Sequence, residues 1–201
     1  MKKINFVKTF IPHGDYKEKY VYNRTGSIAM MVCHLGATPN KDMGAYECYE
    51  CTVPVGAYDE SEIQKAFSEF TAKMDAVKLE QAKADKIAEI TAYDTSSSVN
   101  GFMLNGLLVW LDKATRVGLM NSTTIAKAAG QKETTLWLGG VKIVVDCDKA
   151  IQLLSELEMY ALDCFNVTAS HKAAVGELET IEEVESYNYK TGYPTMLAMS
   201  V

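Results

Sequence analysis

Long apolar runs are missing from this sequence: none approaches the roughly 20 consecutive apolar residues that a membrane-spanning helix needs. No membrane partner is therefore expected. Positive charge is scarce as well. Lys and Arg number 20 against 26 Asp and Glu, a formal charge of -6. Sequence-independent binding of nucleic acid needs a basic surface that displaces counterions, so no nucleic-acid partner is expected either. The first residues, MKKINFVKTFIPHGD, hold three lysines and a proline where a signal peptide would need an uninterrupted apolar core. Synthesis in the cytoplasm is the resulting expectation. Five cysteines, an odd number, then read as reduced, buried thiols. The N-x-S/T triplets at Asn23, Asn121 and Asn166 read as chance matches.

Motifs that hold cofactors are also missing. Gly139-Gly140 and Asn100-Gly101 do not open helices with phosphate-loop spacing and read as turn glycines. The run Glu177, Glu179, Glu182, Glu183 and Glu185 lacks the alternating pattern of an EF-hand loop and reads as a solvated helix face. No internal repeat or low-complexity tract stands out, and no cofactor is expected. What is present is an ordinary globular composition. With 48% apolar and 23% charged residues, 201 residues can bury a sizeable core in one large or two small domains.

The order of local signals predicts an α+β fold. Residues 1–58 are rich in Tyr, Val, Ile and Thr, with strands expected near INFVKTF, KYVYN, SIAMMVCHL and AYECYECTVPV, a small β-rich N-terminal domain. Turn clusters at His13-Gly14-Asp15, Asn23 to Gly26 and Pro39 to Asp42 separate them. Asp59 with Glu62 has the spacing of a capping box. Ile63, Phe67, Phe70, Met74 and Val77 then fall on one helical face, so residues 59–92 are expected to form a long linking helix. Residues 93–180 predict a hairpin-helix-hairpin-long helix domain. Asn105-Gly106 between apolar runs is a strong hairpin signal, because a type I′ turn needs two positive φ angles. Asp112 would cap a helix carrying Arg116, a second helical stretch would end at Gly130, and Gly139-Gly140 would turn a further hairpin. Asp146 or Asp148 would start the last helix. There Ala150, Leu154, Leu157, Ala161, Cys164, Thr168, His171, Val175 and Leu178 alternate steps of four and three. Leu153, Tyr160, Val167 and Ala174 widen that seam beyond a coiled-coil stripe, which favours packing on a sheet or bundle within the domain. Residues 181–201 read as a short acidic helix from Thr180 and a Tyr-rich tail.

Candidate chemistry is sparse. Cys48 and Cys51 form a C-x-x-C with Cys33-His34 upstream, and a metal-binding or redox module using Cys33, His34, Cys48 and Cys51 is the alternative function to weigh. A zinc site needs four converging ligands. Here the surrounding sequence reads as strand, where residues three apart point to opposite faces, and packed thiols are the plainer reading. His171, on the seam, reads as a core histidine bonded to a neighbouring backbone or hydroxyl group. His13 reads as a loop residue, and Trp110 and Trp137 as core anchors or interface markers. Asp94, Asp112 and Asp146 would serve a hydrolase only if two of them faced a cleft. Capping explains them as well.

The order KIAEI, a Ser-rich gap, VNGFMLNGLLVWLD, TR, AAGQ, ETTLWLGG and LLSELEMYALDCFNVTASHKAAVGEL, from Lys83 to Leu178, resembles a phage domain of unknown function. That domain occurs in tailed-phage and prophage proteins, often in tail-fibre or tail-assembly genes. The segment GAYECYECTVP resembles material from gut Bacteroides phage or prophage. The resemblance implies a non-enzymatic structural or assembly protein that reaches the virion or an assembly intermediate, with other phage structural proteins as partners and no catalytic residues. The extended seam adds a homo-oligomer as an expectation. Leu154, Leu157, His171, Val175, Leu178, Tyr187, Tyr189 and Tyr193 are the expected interface.

Overall fold

The computed structural model describes residues 3–23 and 28–201. The fold class is α+β, with strands first and helices after, and the chain divides into two compact units, Met1–Val77 and Lys78–Val201.

In the first unit β1 (Val7–Pro12), β2 (Lys19–Tyr22), β3 (Met30–Asn40) and β4 (Ala45–Pro54) form an antiparallel sheet in the order β1-β4-β3-β2. All four expected strands are present. Residues 24–27, which hold most of one expected turn and the start of the third expected strand, lie outside the described residues. The break expected at Pro39 is displaced: β3 runs on to Asn40 and pairs Pro39 with Tyr46. A register shift between Leu35 and Thr38 bends the strand instead. Gly36 adopts φ +62° there, and a Cβ on it would lie 2.9 Å from the Phe67 ring. Only glycine allows a left-handed residue that close beneath an aromatic ring.

Helix α1 (Glu60–Asp94) begins at the expected capping box. The Asp59 carboxylate accepts from the Glu62 N–H, and the Glu62 carboxylate accepts from the Asp59 N–H, both at 2.8 Å. Ile63 and Phe67 are buried, and the Phe67 and Phe70 rings lie 5.4 and 5.2 Å from Phe6. Val77 departs from expectation. It is 70% exposed, so the buried face ends before the fifth predicted position. The division between the two units falls inside α1 and gives part of the helix to each.

The second unit continues through α2 (Ser97–Asn100), β5 (Gly101–Leu104), β6 (Leu107–Trp110), α3 (Lys113–Ala128), β7 (Glu133–Leu138), β8 (Val141–Asp146), α4 (Cys147–Gly176), α5 (Ile181–Ser186) and β9 (Ala198–Met199). The β5–β6 hairpin turns on Asn105 at φ +49° and Gly106 at φ +83°, the pair of positive angles a type I′ turn requires. α3 is one helix where two stretches were expected. A glycine inside a helix costs only about 1 kcal/mol, and Leu119 and Met120, just after Gly118, pack against the core. The other expected caps are in place. Asp112 accepts from the Thr115 N–H, Asp146 from the Asp148 and Lys149 N–H groups, and Thr180 with Glu183 forms a capping box.

The seam of α4 is the centre of this unit. Ala150, Leu154, Leu157 and Cys164, with Leu153 and Tyr160 beside them, form one cluster with Phe102, Val109 and Leu136 from the two hairpins. Strand alternation sends Val109 and Leu136 inward and the adjacent Trp110 and Trp137 outward. Both tryptophans are therefore corrected from core anchors to surface residues, 40% and 62% exposed. Residues 181–201 are no separate appendage. β9 pairs parallel with β5, where the Met103 and Asn105 N–H groups donate to the Leu197 and Met199 carbonyls at 2.8 and 3.0 Å. Among the described residues no helix is long and apolar enough to cross a membrane.

Leu157 is 2% exposed and Met159, on the same helix, is 60% exposed. Leu157→Ala is expected to cost about 2–5 kcal/mol through the cavity it leaves, and Met159→Ala under about 0.5 kcal/mol. Urea unfolding followed by tryptophan fluorescence measures the difference within this unit, since both tryptophans lie in it.

Candidate functional site

The residues expected to form an interface are placed first. Leu154, Leu157 and Val175 are buried in the second unit's own interior, and Leu178 lies beyond the helix end. His171 is held from both sides: its Nε2–H donates to the Thr191 carbonyl at 2.9 Å, and its Nδ1 accepts from the Tyr187 hydroxyl at 2.8 Å. Both ring nitrogens are therefore engaged, one by a backbone carbonyl and one by a hydroxyl, on a partly buried side chain. Tyr189 and Tyr193 set their ring edges against Tyr93 at 5.6 and 5.7 Å, and Lys190 lies over Tyr93. The Tyr193 hydroxyl donates to Thr168 Oγ1, which donates to Asp94 at 2.8 Å. Burial raises the Tyr193 hydroxyl pKa above its ordinary value. These side chains therefore strap the C-terminal segment onto α1 and α4. The seam is an interior contact, which corrects its assignment as an intermolecular surface.

The cysteine set does not converge. His34 and Glu50 are register partners on one sheet face, with His34 bonded to Glu50 at 3.2 Å and to the Lys17 carbonyl. Cys48 shares that face by strand alternation, and Cys33 pairs with Cys51 on the other, beside Ile63 of α1. All five cysteines are free and buried. Among the described residues no group of three or more His, Cys, Asp or Glu is arranged to hold a metal ion.

The site with the most built-in chemistry is a groove of about 550 Å³ in the second unit. Trp110 at the end of β6 and Leu162 and Phe165 on α4 form its apolar wall, 40%, 48% and 59% exposed. Arg116, from the first turns of α3, is 8% exposed and crosses the groove to α4: Nε donates to Glu158 at 2.9 Å and Nη1 to the Leu111 carbonyl at 2.8 Å. Asp112 is occupied as the α3 cap, where the Thr115 N–H and hydroxyl hold its carboxyl below the ordinary range. Asp94 accepts from Thr168. Asn100 donates to the Asp94 carbonyl at 2.6 Å, while its Oδ1 is buried and accepts no bond among the described residues. Each acid in the wall, and the arginine, is thus already engaged by a neighbour. Two of the three aspartates weighed for a hydrolase, Asp94 and Asp112, thus line this groove, each holding a hydrogen bond within the chain.

The local pattern places Arg116 on its helix, but its partner Glu158 lies 42 residues away, beyond any local signal. Leu162 and Phe165 were detectable as apolar residues off the seam, three apart, on a face that needed none. A charge-assisted hydrogen bond to a buried group is worth about 1.5–3 kcal/mol. Glu158→Gln is expected to lower stability toward urea by about that amount, with the exposed Glu156→Gln as a control within about 0.5 kcal/mol.

A family model described as a domain of unknown function (DUF4376) matches residues 81–191, just over half of the chain. No curated protein and no solved structure matches it. The matched span holds the groove, the α4 seam and most of the tyrosine strap, and on that match the chain belongs to the DUF4376 family.

Proposed function

We propose that the protein is a non-enzymatic phage or prophage structural or assembly protein, associated with the tail or tail fibre. It acts by docking another phage structural protein in the groove of the second unit. The observation that carries this is the exposure of Trp110, Leu162 and Phe165 around one concave site whose acids and arginine are already paired within the chain. Large side chains clustered in a concavity are the usual anchors of protein interfaces, where a few residues supply most of the affinity. The tail association rests on the resemblance of Lys83 to Leu178 to phage domains, and it places the finished protein in the virion or an assembly intermediate after synthesis in the bacterial cytoplasm.

The test is pairwise binding between the full chain, itself, and the proteins encoded beside it. At least one encoded neighbour is expected to bind. Phe165→Glu and Trp110→Ala should each weaken that complex at least tenfold, about 1.4 kcal/mol, while Trp137→Ala, outside the groove, leaves it unchanged. Binding that ignores both groove substitutions, self-association alone, or no binding to any neighbour would each count against the proposal.

A further inference from the structure

The C-x-x-C draws attention to Cys48 and Cys51, yet strand alternation separates them. The thiols brought together are Cys33 on β3 and Cys51 on β4, direct register partners. The Val55 N–H donates to the Ala29 carbonyl, one register pair in line with these, so alternation makes Cys33–Cys51 a hydrogen-bonded pair. Such pairs hold their Cα atoms about 5.5 Å apart, inside the range a disulfide spans.

Two further observations distinguish the pair from inert core thiols. Cys33, though buried, is among the residues lining a cavity of about 300 Å³, together with Lys19, Met31, Tyr58, Ile63 and Gln64. Lys19 of β2 is the register partner of Cys33 on its other side, forming a cross-strand row Lys19–Cys33–Cys51. A cation beside the outer thiol and a second thiol behind it are the parts an exchange site needs.

We propose that Cys33 and Cys51 form a thiol–disulfide exchange site that takes a low-molecular-weight disulfide through this cavity. Cys33 gives its proton to water and its thiolate attacks one sulfur of the small disulfide. A protein–small-molecule S–S bond forms, the original S–S bond breaks, and one small thiolate leaves. Cys51 then loses its proton and attacks the Cys33 sulfur, closing the protein disulfide and releasing the second small thiolate. Two electrons pass from the cysteine pair to the small disulfide, and the two released protons end on the two small thiols. Burial pushes the Cys33 thiol up, while Lys19 pulls it down and Glu60 of α1 opposes Lys19. Burial pushes Cys51 up to about 11, with Glu50 adding to the rise. Exchange therefore quickens as pH rises, as a larger fraction of each thiol becomes thiolate.

This site belongs to the first unit and the groove to the second. The test treats the reduced full chain with oxidised glutathione at mildly alkaline pH. Titratable thiols are expected to fall from five to three, and digestion should join the Cys33 peptide to the Cys51 peptide in the wild type and in Cys48→Ser. Cys51→Ser should stop at a stable glutathione adduct on Cys33. If that variant does not fold, the wild-type and Cys48→Ser maps still decide. Five thiols persisting in the native chain, a disulfide through Cys48, or a wild-type adduct that never resolves would each overturn the proposal.

Discussion

Burial of one face of α4 is the constraint on which the rest of the second unit depends. A 30-residue helix with an apolar seam must be covered along its length, and fully burying each Leu on it contributes about 1.5–3 kcal/mol. The cover comes from the chain itself. Two hairpins supply Phe102, Val109 and Leu136 at one end, and the tyrosines of the C-terminal segment close the other. The short β9 then ties that segment to β5. Hairpin, helix and strap are each weak alone. Together they bury a single helix face.

With the seam consumed internally, what remains outward decides function. The surface of α4 away from the core carries Leu162 and Phe165, and β6 brings Trp110 beside them. Arg116 links α3 to α4 beneath that wall, so the groove is built on two helices and a hairpin end rather than on a loop. Rigid placement favours a preformed binding site, because little ordering entropy is lost when a partner docks. The relay from Tyr193 through Thr168 to Asp94 joins the C-terminal strap to the same groove wall. Strap and groove are therefore mechanically connected.

Much of the local structure could be read from the sequence because its causes are local. Asn105-Gly106 fixed a hairpin, Asp59 with Glu62 and Thr180 marked helix starts, and the period of α4 fixed its buried face. What could not be read depends on contacts far apart in the chain. The seam announced that something covers it but not whether that cover is a second copy or residues 187–199. The outward turn of Trp110 and Trp137 follows from a one-residue strand parity that neighbouring Val109 and Leu136 satisfied instead. The pairing of Cys33 with Cys51 needs the register of β3 on β4, which the bulge after Leu35 makes inaccessible to a motif search. The glutamate partner of Arg116 lies on another helix, beyond any local pattern.

Native-state hydrogen exchange of the full chain tests the internal cover of α4 most directly. If the strap belongs to the fold, the Met103 and Asn105 amides, bonded to the Leu197 and Met199 carbonyls, are protected together with the interior of α4. That protection should not change on dilution. Free exchange at Met103 and Asn105, with α4 protected only at high protein concentration, would mean that the seam is covered by another molecule and would contradict the internal assignment.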